Sequence, residues 1–472
     1  MRGWRRPGWV LALLLAGLLL FAGLSSVTSS TSAQSSDPGK PFWPMSKADA
    51  GGTGQAASRA AANAGTTLWM RYFNTTFVPE QLTTAQGPLL IGSDGSICLF
   101  FTDNYAFPSN PALCGVMKFD ANGKELWQAP GYLSEFVGAI ASDGTIIFPG
   151  HDALGTPKLF ALDPDGNLKW SRGILDGPHS RLVIGPEDES CLLTSNRTEG
   201  LVLQIIQRDG SYYRNVTLPN EPYYSYADHI SNLLVAPNGT AYAVTLNNIT
   251  SVGPNGIVRP IFRTEYDYWN YTDPSLAMML RPDGTLIVKN KSYLWAIQPN
   301  GSLLWSLGLA PYYAMSPLSL APDGSILLLT AKSTNASGWL DMTALLAVTS
   351  AGQIEWILDM PQASQYIEMA PVISSDGITF LGIGETIFAV NPDGSMRYQK
   401  DIGGFLDGQD SMVIGEKGVL FALARNHSAT LTAIGPMTSN SGSLDTLALI
   451  LPPLLILGAA AVALYAIRTR KR

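Results

Sequence analysis

One stretch of the chain reads Leu159-Phe160-Ala161-Leu162-Asp163-Pro164-Asp165-Gly166-Asn167-Leu168-Lys169-Trp170. It consists of a short apolar run, a tight turn, and a second short run that ends in an aromatic residue. Asp accepts the unusual backbone angles of such a turn and Gly supplies a positive φ, so the stretch predicts a β-hairpin. Related copies end at Trp127, Trp305, Trp356 and Tyr398, with fainter ones around Gly210 and Gly256.

A second signal alternates with these hairpins: a turn, usually Asp-Gly followed by Ser or Thr, and then a short aliphatic or β-branched run. Its eight copies begin at Asp94, Asp143, Asp188, Asn238, Asp283, Asp323, Asp376 and Lys417. Successive copies are 40 to 53 residues apart, which is the length of one four-stranded propeller blade. Charged residues make up only 14% of the chain, and its 46 Gly and 31 Pro also favour short strands joined by tight turns.

The last copy of the repeat lacks one strand, and one extra strand precedes the first copy. Each blade is predicted to have strands A and B around the first turn and strands C and D around the second. The last copy stops after strand C at Leu431–Ile434, and the first copy is preceded by a single strand, Gly65–Trp69. Pairing the two completes a blade and hides two strand edges. The sequence therefore predicts an all-β, eight-bladed β-propeller of four-stranded antiparallel blades over residues 65–435, with unrelated hairpins in two sandwiches as the alternative.

The Ala-Leu-Asp-Pro-Asp-Gly-x-Leu-x-Trp pattern of residues 161–170 resembles the repeat of the pyrroloquinoline-quinone-like (PQQ-like) propeller family. The segment Phe42-Trp43-Pro44-Met45 is similar to the start of many exported members, and the resemblance covers about Phe42 to Gly435. The resemblance implies that a recurring Trp docks between neighbouring blades, here Trp69, Trp127, Trp170, Trp305 and Trp356. It also associates quinone-dependent dehydrogenases with adjacent cysteines, a calcium site and a catalytic Asp, none of which can be placed on this chain.

The first 33 residues have the layout of a secretory signal peptide. Arg2, Arg5 and Arg6 precede an uncharged stretch from Trp9 to Leu24, and small residues follow up to Ala33. An uncleaved signal anchor is the alternative. Residues 34–64 are then a Ser/Ala/Gly-rich segment that leads into the propeller.

Residues 446–467 are 22 residues without a charge, followed at once by the basic tail 468–472. At about 1.5 Å per residue a helix of this length spans about 33 Å, enough to cross a membrane. The basic tail places the C-terminus on the cytoplasmic side. With 436–445 as a linker, this predicts a single-pass cell-membrane protein whose propeller is extracytoplasmic; a buried core helix is the alternative.

The predicted exported part is acidic. Removing the seven basic residues of the two ends from the 30 Lys and Arg leaves 23 against 37 acidic residues, a net charge near −14. Such a surface repels phosphate backbones, so nucleic acid is not an expected partner. Asn-x-Ser/Thr sequons, which predict an N-glycosylated exported chain, begin at Asn74, Asn196, Asn215, Asn238, Asn248, Asn270, Asn290, Asn300, Asn335 and Asn426.

Two of the three cysteines fall on the two arms of one predicted hairpin. Cys98 and Cys114 would face each other if that hairpin were centred near Ala106, and they could then form a disulfide in an export compartment. Two buried free thiols are the alternative. Cys191 has no partner in either case.

Tyrosine-rich segments lie in the predicted connections from strand D of one blade to strand A of the next. The candidate ligand-binding residues are Tyr223, Tyr224, Tyr226, Asp228, Tyr266, Asp267, Tyr268, Trp269, Tyr271, Tyr312, Tyr313 and Tyr366. Tyr and Trp offer rigid contact area, and the interspersed acids add hydrogen-bond acceptors, which suits a protein loop or a glycan. The alternative is that these aromatic residues only pack the propeller face.

No catalytic or metal centre is visible in the sequence. The four histidines are scattered, and a Gly-x-Ser-x-Gly motif does not occur. The Asp-Gly pairs are explained by turn chemistry, and we predict no metal and no cofactor. The sequence favours a non-enzymatic cell-surface scaffold that binds an extracellular protein or glycan. A PQQ-dependent oxidoreductase and a cell-envelope assembly or structural component are the alternatives.

Overall fold

The computed structural model describes residues 43, 45–73, 89–101, 115–130, 133–134, 138–152, 154–175, 180–196, 200–218, 233–245, 248–263, 276–332, 342–361, 369–406, 411–426 and 428–436. The chain divides into two units, Met1–Pro38 and Gly39–Arg472, and every described residue belongs to the second unit.

The described residues form eight antiparallel sheets, which are the blades of a propeller. The first strand in the chain, β1 (Asn63–Tyr72), belongs to the last blade. Blade I contains β2 (Leu90–Ile91), β3 (Ile97–Phe101), β4 (Gly115–Phe119) and β5 (Glu125–Pro130); blade II contains β6 (Leu133–Ser134), β7 (Ala139–Ile140), β8 (Ile146–His151), β9 (Pro157–Leu162) and β10 (Leu168–Gly173).

The next three blades each have four strands. Blade III contains β11 (Val183–Ile184), β12 (Ser190–Asn196), β13 (Gly200–Ile206) and β14 (Tyr212–Thr217); blade IV contains β15 (Leu233–Val235), β16 (Ala241–Thr245), β17 (Asn248–Val252) and β18 (Val258–Arg263); blade V contains β19 (Ala277–Leu280), β20 (Leu286–Lys289), β21 (Tyr293–Ile297) and β22 (Leu303–Gly308).

The last three blades complete the ring. Blade VI contains β23 (Tyr313–Ala314), β24 (Ser319–Leu320), β25 (Ile326–Lys332), β26 (Met342–Val348) and β27 (Ile354–Asp359); blade VII contains β28 (Val372–Ile373), β29 (Thr379–Ile383), β30 (Thr386–Val390) and β31 (Met396–Asp401); blade VIII contains β32 (Met412–Ile414), β33 (Leu420–Asn426), β34 (Ser428–Pro436) and β1. In blades II and VI the A strand is split in two, and both pieces pair with strand B.

The predicted closure of the ring is confirmed. Strand β1 runs antiparallel to β34, with Thr67 opposite Ile434 and Tyr72 opposite Thr430. The N-terminal strand therefore supplies the missing D strand of blade VIII. Eight blades of antiparallel strands, with the closing strand taken from before the first repeat, agree with the sequence prediction.

The inner strands read as continuous apolar runs because blades pack against one another on both faces. The five residues of β3 are all buried, and so are those of β29, whereas the outer strand β22 alternates between exposed and half-buried residues. Strands A of neighbouring blades contact each other, for example β11 with β15 and β28 with β32. The core thus lies between blades, and among the strands that the structure describes only the D strands meet solvent along their length.

The two ends of the blades define two faces. We call the face that carries the A–B and C–D turns the turn face, and the opposite face, with the B–C and D–A connections, the loop face. The turn face is built on a repeated device in which an Asp carboxylate accepts a backbone N–H two residues later: Asp94 from Ser96 at 2.9 Å, and Asp283 from Thr285 at 2.9 Å. This is the turn chemistry that made the repeat visible in the sequence.

Each blade docks on the next through a contact to a C–D turn. The Trp127 indole N–H donates to the Pro164 carbonyl at 2.9 Å, and its ring lies over Gly166, where a Cβ would come within 2.8 Å of it. The same packing of a ring on a glycine is formed by Trp69 on Gly123, Trp170 on Gly210, Trp305 on Gly352 and Trp356 on Gly394. These are the five tryptophans for which the resemblance implied an inter-blade role.

Two of the other three junctions use a different side chain in place of the tryptophan. Tyr398 packs on Gly65 and its hydroxyl donates to the Asn63 side-chain oxygen at 2.8 Å. Arg214 takes the position in blade III and donates to the Pro254 carbonyl at 2.8 Å. Burial raises the pKa of the Tyr398 phenol, which keeps it protonated as a donor.

A segment before β1 touches the inner end of every blade in chain order. We call residues 43 and 45–62 the closing segment. Backbone hydrogen bonds join it to five blades: Trp43 N to Ile91 O at 3.1 Å in blade I, Val235 N to Ala50 O at 3.0 Å in blade IV, Leu280 N to Gly51 O at 2.8 Å in blade V, Leu320 N to Thr53 O at 2.8 Å in blade VI, and Ile373 N to Gly54 O at 3.0 Å in blade VII. The other three blades are contacted by a bridge from Met45 to Ala139 in blade II, by hydrogen bonds from Arg181 of blade III, and by Arg59 O beside Gly418 of blade VIII.

Two buried cations hold this segment in place. Arg181, only 1% exposed, donates to the carbonyls of Ser46 at 2.6 Å, Asp49 at 3.1 Å and Ala50 at 3.0 Å, and also to Leu233 at 2.9 Å. Lys47 donates to the Leu318 carbonyl at 2.6 Å. The contacts lie where the A strands run into their A–B turns, so the closing segment lines the turn face around the central axis.

Candidate functional site

Most of the predicted ligand-binding residues lie outside the described part of the chain. These are Tyr223, Tyr224, Tyr226, Asp228, Tyr266, Asp267, Tyr268, Trp269, Tyr271 and Tyr366. Tyr312 and Tyr313 are described: Tyr312 lies in the D–A connection after β22, and Tyr313 is the first residue of β23. They fall on the loop face, where the sequence predicted a binding surface.

Each of these two tyrosines is paired with a lysine. The Lys332 ammonium lies 4.7 Å from the centre of the Tyr312 ring and donates to its hydroxyl at 3.1 Å. The Lys291 ammonium lies 5.7 Å from the centre of the Tyr313 ring, which is 39% exposed. The hydrogen bond to the Tyr312 hydroxyl raises the pKa of Lys332, so the ammonium is charged at all physiological pH values.

A stack of aromatic rings continues this surface toward blade IV. Tyr293 stacks on Trp295 with ring centres 5.6 Å apart and planes 22° from parallel, and Phe262 lies 6.0 Å from Trp295. The outer strand opposite Tyr293 carries Gly308, which has no side chain to cover the ring. Tyr293 is therefore 48% exposed.

Backbone hydrogen bonds join these residues into one surface. Ala314 N donates to the Lys291 carbonyl at 2.8 Å, and Leu309 N donates to the Ser292 carbonyl at 2.8 Å. Tyr313 is opposite Ala331, next to Lys332. We call Lys291, Tyr293, Tyr312, Tyr313 and Lys332 the aromatic–lysine cluster.

Sequence reasoning missed Lys291, Tyr293 and Lys332. Residues 293–297 read as one more apolar strand, and nothing in them shows that Tyr293 is exposed. The signal was Gly308 at the end of the neighbouring strand, but its position opposite Tyr293 depends on a β-bulge between Ala296 and Ile297. The bulge shifts the register and is not readable from a single sequence.

The turn face also has depressions, and its charged groups are occupied with each other. A depression of about 750 Å³ between blades II, III and IV is lined by Trp170, Glu189, Arg208 and Asn238 among others. Arg208 bonds Asp143 at 2.9 Å and Asp188 at 3.2 Å. Burial disfavours the ionised form of Asp143, but hydrogen bonds from Thr145, Arg208 and Lys169 outweigh it and hold its pKa well below the ordinary value. These contacts join blades rather than prepare a ligand site.

Among the described residues, no group of three or more His, Cys, Asp and Glu side chains could hold a metal ion. In the Asp163 turn, the carboxylate accepts the backbone N–H of Asp165 at 3.0 Å and of Asn167 at 2.8 Å, so it is occupied by turn hydrogen bonds. His151 ends β8, while His179, His229 and His427 lie outside the described residues.

The predicted pairing of Cys98 with Cys114 is wrong in register. In the hairpin of β3 and β4, the residue opposite Cys98 is Lys118, because the strands pair around a centre two residues further along than Ala106. Cys98 is a free, fully buried thiol, and burial raises its pKa to about 12. Cys191 is likewise free and buried, and Cys114 lies outside the described residues.

The described sequons are divided between the two faces. Asn248 and Asn290 lie at B–C connections of the loop face, at whose strand ends Asn196 and Asn426 are also found. Asn238 and Asn300 lie in tight turns of the turn face, and Asn215 lies on β14. Asn74, Asn270 and Asn335 lie outside the described residues.

Within the described residues, no helix is both long and apolar enough to cross a membrane. Residues 1–33 and 446–467, in which the signal peptide and the transmembrane helix are predicted, lie outside the described part.

Fold and site together define a β-propeller scaffold. No family model and no curated protein matches the chain. Solved structures that it resembles include a protein from Bacteroides caccae (10% identity, TM-score 0.32, covering 53% of this chain and 93% of that one), BBS1N in complex with ARL6DN (14%, 0.42, 66% and 99%), and the β-propeller domain of Myceliophteria thermophila Cps50 (Swd1) (13%, 0.42, 64% and 97%). Values this low carry no argument about activity or partners, and the fold assignment rests on the strand pairing described above.

Proposed function

We propose that this chain is a non-enzymatic propeller scaffold that is exported, is held to the cell membrane by one C-terminal helix, and binds an extracellular protein or glycan on its loop face. The observation that carries the proposal is the aromatic–lysine cluster. It exposes the rings of Tyr293 and Tyr313 and places an ammonium group over each of Tyr312 and Tyr313, a combination suited to recognition of a partner.

The turn face offers less to a partner. Its inner rim is occupied by the closing segment, whose carbonyls accept hydrogen bonds from the A strands and from Arg181. Its Asp side chains accept N–H groups of their own turns or bind cations of the next blade. Groups already engaged in this way must break internal contacts before they can bind anything else.

The membrane anchor in this proposal rests on the sequence of residues 446–467, and the direction of β34 adds a geometric argument. This C strand runs from the loop face to the turn face and ends at Pro436. The nine residues 437–445 span at most about 30 Å when extended. An anchor at 446 therefore holds the turn face toward the membrane and leaves the loop face pointing outward.

Membership of the PQQ-like repeat family is part of the same proposal. It rests on the Ala-Leu-Asp-Pro-Asp-Gly-x-Leu-x-Trp pattern and on the repeated use of that Trp against the Gly of the following blade. Nothing in the described residues favours quinone chemistry over a binding role.

Site-specific photo-crosslinking on intact cells tests which face binds. A benzoylphenylalanine replaces Tyr313 on the loop face in one variant, and Asn122, an exposed residue of a turn-face C–D turn, in the matched control. We expect an adduct from position 313 and none from position 122. Equal adducts at both positions, or an adduct at 122 alone, contradict the assignment of the face.

The orientation is tested separately in lipid nanodiscs. A fluorophore attached at position 122 should be quenched by a lipid-borne quencher more strongly than the same fluorophore at position 313, since the turn face is proposed to lie nearer the bilayer. Equal quenching at the two positions refutes the orientation without bearing on the choice of binding face.

A further inference from the structure

We propose that the aromatic–lysine cluster is a binding site for a glycan that carries a carboxylate, such as a uronic acid. This inference rests on the proposed function and names the ligand class of the same site. It goes further in two respects: it places the site on blades V and VI, and it assigns one chemical task to the rings and another to the lysines.

The rings provide a surface for a sugar. Tyr293 is stacked on Trp295, which is itself backed by Phe262, so the exposed ring is held at a fixed tilt before any ligand arrives. A pyranose presents a flat face of C–H groups that packs on an aromatic face at little entropic cost when the ring is already fixed. Gly308 opposite Tyr293 leaves room above the ring that any side chain would reduce.

The lysines make an acidic sugar the better fit. An ammonium has three N–H donors, and the one hydrogen bond from Lys332 to Tyr312 leaves further donors directed elsewhere. Asp359, two strands away on β27 of the same blade, acts on Lys332 electrostatically and offsets part of its charge, while Lys291 adds a second positive charge 5.7 Å from the centre of the Tyr313 ring. The two lysines supply positive charge to a carboxylate at short range, whereas the net charge near −14 of the predicted exported part opposes the approach of an anion.

A sugar also fits the shape better than a folded protein does. The cluster is a shallow row of rings along the end of two blades, and its exposed members are Tyr293 and Tyr313. A protein hot spot usually needs a deep, desolvated pocket, and a trisaccharide does not. A protein partner nevertheless gives a distinct experimental outcome, described below.

The test uses the full chain purified in detergent and two named probes, trigalacturonate and maltotriose, with binding measured by calorimetry. We expect trigalacturonate to bind, and maltotriose to bind at least about tenfold more weakly because it lacks the carboxylates. Tyr293→Ala should reduce affinity for trigalacturonate about tenfold or more, and Tyr293→Phe should restore it because the ring face is kept. Lys332→Gln should abolish the preference for the acidic probe and flatten its salt dependence.

Two controls separate the site from general effects. Tyr72→Ala removes a tyrosine that is 65% exposed but lies on β1, away from the cluster, and should leave binding unchanged. Asn290→Asp removes the sequon beside the cluster while keeping the side-chain oxygen that accepts the N–H groups of Ser292 and Tyr293. It should also leave binding unchanged.

Each unwanted result points to a different error. Equal binding of both probes, or full binding by Tyr293→Ala, overturns the proposal. Binding that appears only in Asn290→Asp shows that the protein's own glycan occupies the rings, and this too overturns it. If neither probe binds while crosslinking at position 313 still yields a protein adduct, the ligand class is wrong and the proposed function stands.

Discussion

The two faces of this propeller are built from the same eight repeats but use their residues differently. On the turn face, Asp and Trp side chains bond to their own turn or to the next blade, and the closing segment covers the inner rim. On the loop face, Tyr293 and Tyr313 are exposed, and Lys291 and Lys332 lie over the rings of Tyr313 and Tyr312. The difference indicates that the turn face contributes more to stability, and it leaves the loop face available for the proposed binding role.

The largest expected effect on stability comes from replacing Arg181 on the turn face by Met. Four carbonyls accept hydrogen bonds from the buried Arg181 guanidinium, and the change removes their donor. We therefore expect the unfolding free energy to fall by about 3–5 kcal/mol. Denaturant unfolding of the full chain in detergent measures it. The loop-face change Tyr313→Ala should cost less than about 0.5 kcal/mol. Similar losses for both variants contradict the division of roles.

A second comparison uses two asparagines. Asn63 is fully buried, donates to the carbonyls of Gly418 and Ile434 at 2.9 Å each, and accepts from Gly65 and Tyr398. Asn63→Ala should lower the unfolding free energy by about 2–4 kcal/mol because it leaves those groups unsatisfied where the ring closes. Asn290→Ala, which removes two hydrogen bonds from a half-buried loop-face turn, should cost about 1 kcal/mol, and the order of the two melting temperatures checks this.

Two glycines, one on each face, share a positive φ but differ in what surrounds them, so they compare the packing of the two faces. Gly166 on the turn face has φ +88 with the Trp127 ring 2.8 Å from the position of a Cβ, whereas Gly155 on the loop face has φ +75 with nothing within 4 Å. Gly155→Ala should cost about 1 kcal/mol from backbone strain alone. Gly166→Ala should cost about 2–3 kcal/mol in total, since the ring must also move. Equal costs would mean that the Trp contact contributes nothing.

The smallest expected effect is on the folding stability at acid pH. Asp143 and Asp152 both have lowered folded pKa values, the latter to about 2 through its hydrogen bond from Lys158, so each contributes stability that is present above the ordinary Asp pKa and is lost as the pH falls toward the folded value. Between pH 5 and 2, the gap in stability between wild type and Asp143→Asn should therefore narrow. For Asp152→Asn on the loop face, 1 M salt should remove the difference, because its ion pair is exposed to solvent. A salt effect of equal size for Asp143 contradicts the inter-blade role.

The fold could be read from the sequence because it repeats a local device. The A–B turn signal, which is Asp-Gly in five of its eight copies, and the terminal Trp, which occurs five times, need only neighbouring residues to be recognised. The closing segment could not be read in the same way. Its contacts are mainly backbone hydrogen bonds to residues far along the chain, and its Ala- and Gly-rich sequence has no period. The position of Arg214 in place of a Trp is hidden for a related reason, since only the structure shows that a guanidinium and an indole reach the same carbonyl position.

The candidate site was predicted only in part. The loop face and Tyr312 with Tyr313 follow from the order of strands and the clustering of tyrosines. The exposure of Tyr293 depends on the missing side chain of Gly308 in the neighbouring strand. The residue opposite Cys98 depends on the strand register, because the hairpin of β3 and β4 is centred two residues beyond Ala106. Both are properties of strand pairing, which a single sequence does not specify to the residue.

Ring closure also has a consequence for how the protein is made. Asn63 and Ile434 are 371 residues apart in sequence, yet they share a hydrogen bond at the seam of blade VIII. The strand that is synthesised first therefore waits for the last one, and the loop that must be closed is nearly the whole domain. Such a high contact order predicts slow folding and a long-lived open intermediate with two unpaired edges. Deleting a few residues from β34 should thus lower the yield of folded protein strongly, although the deletion itself is small.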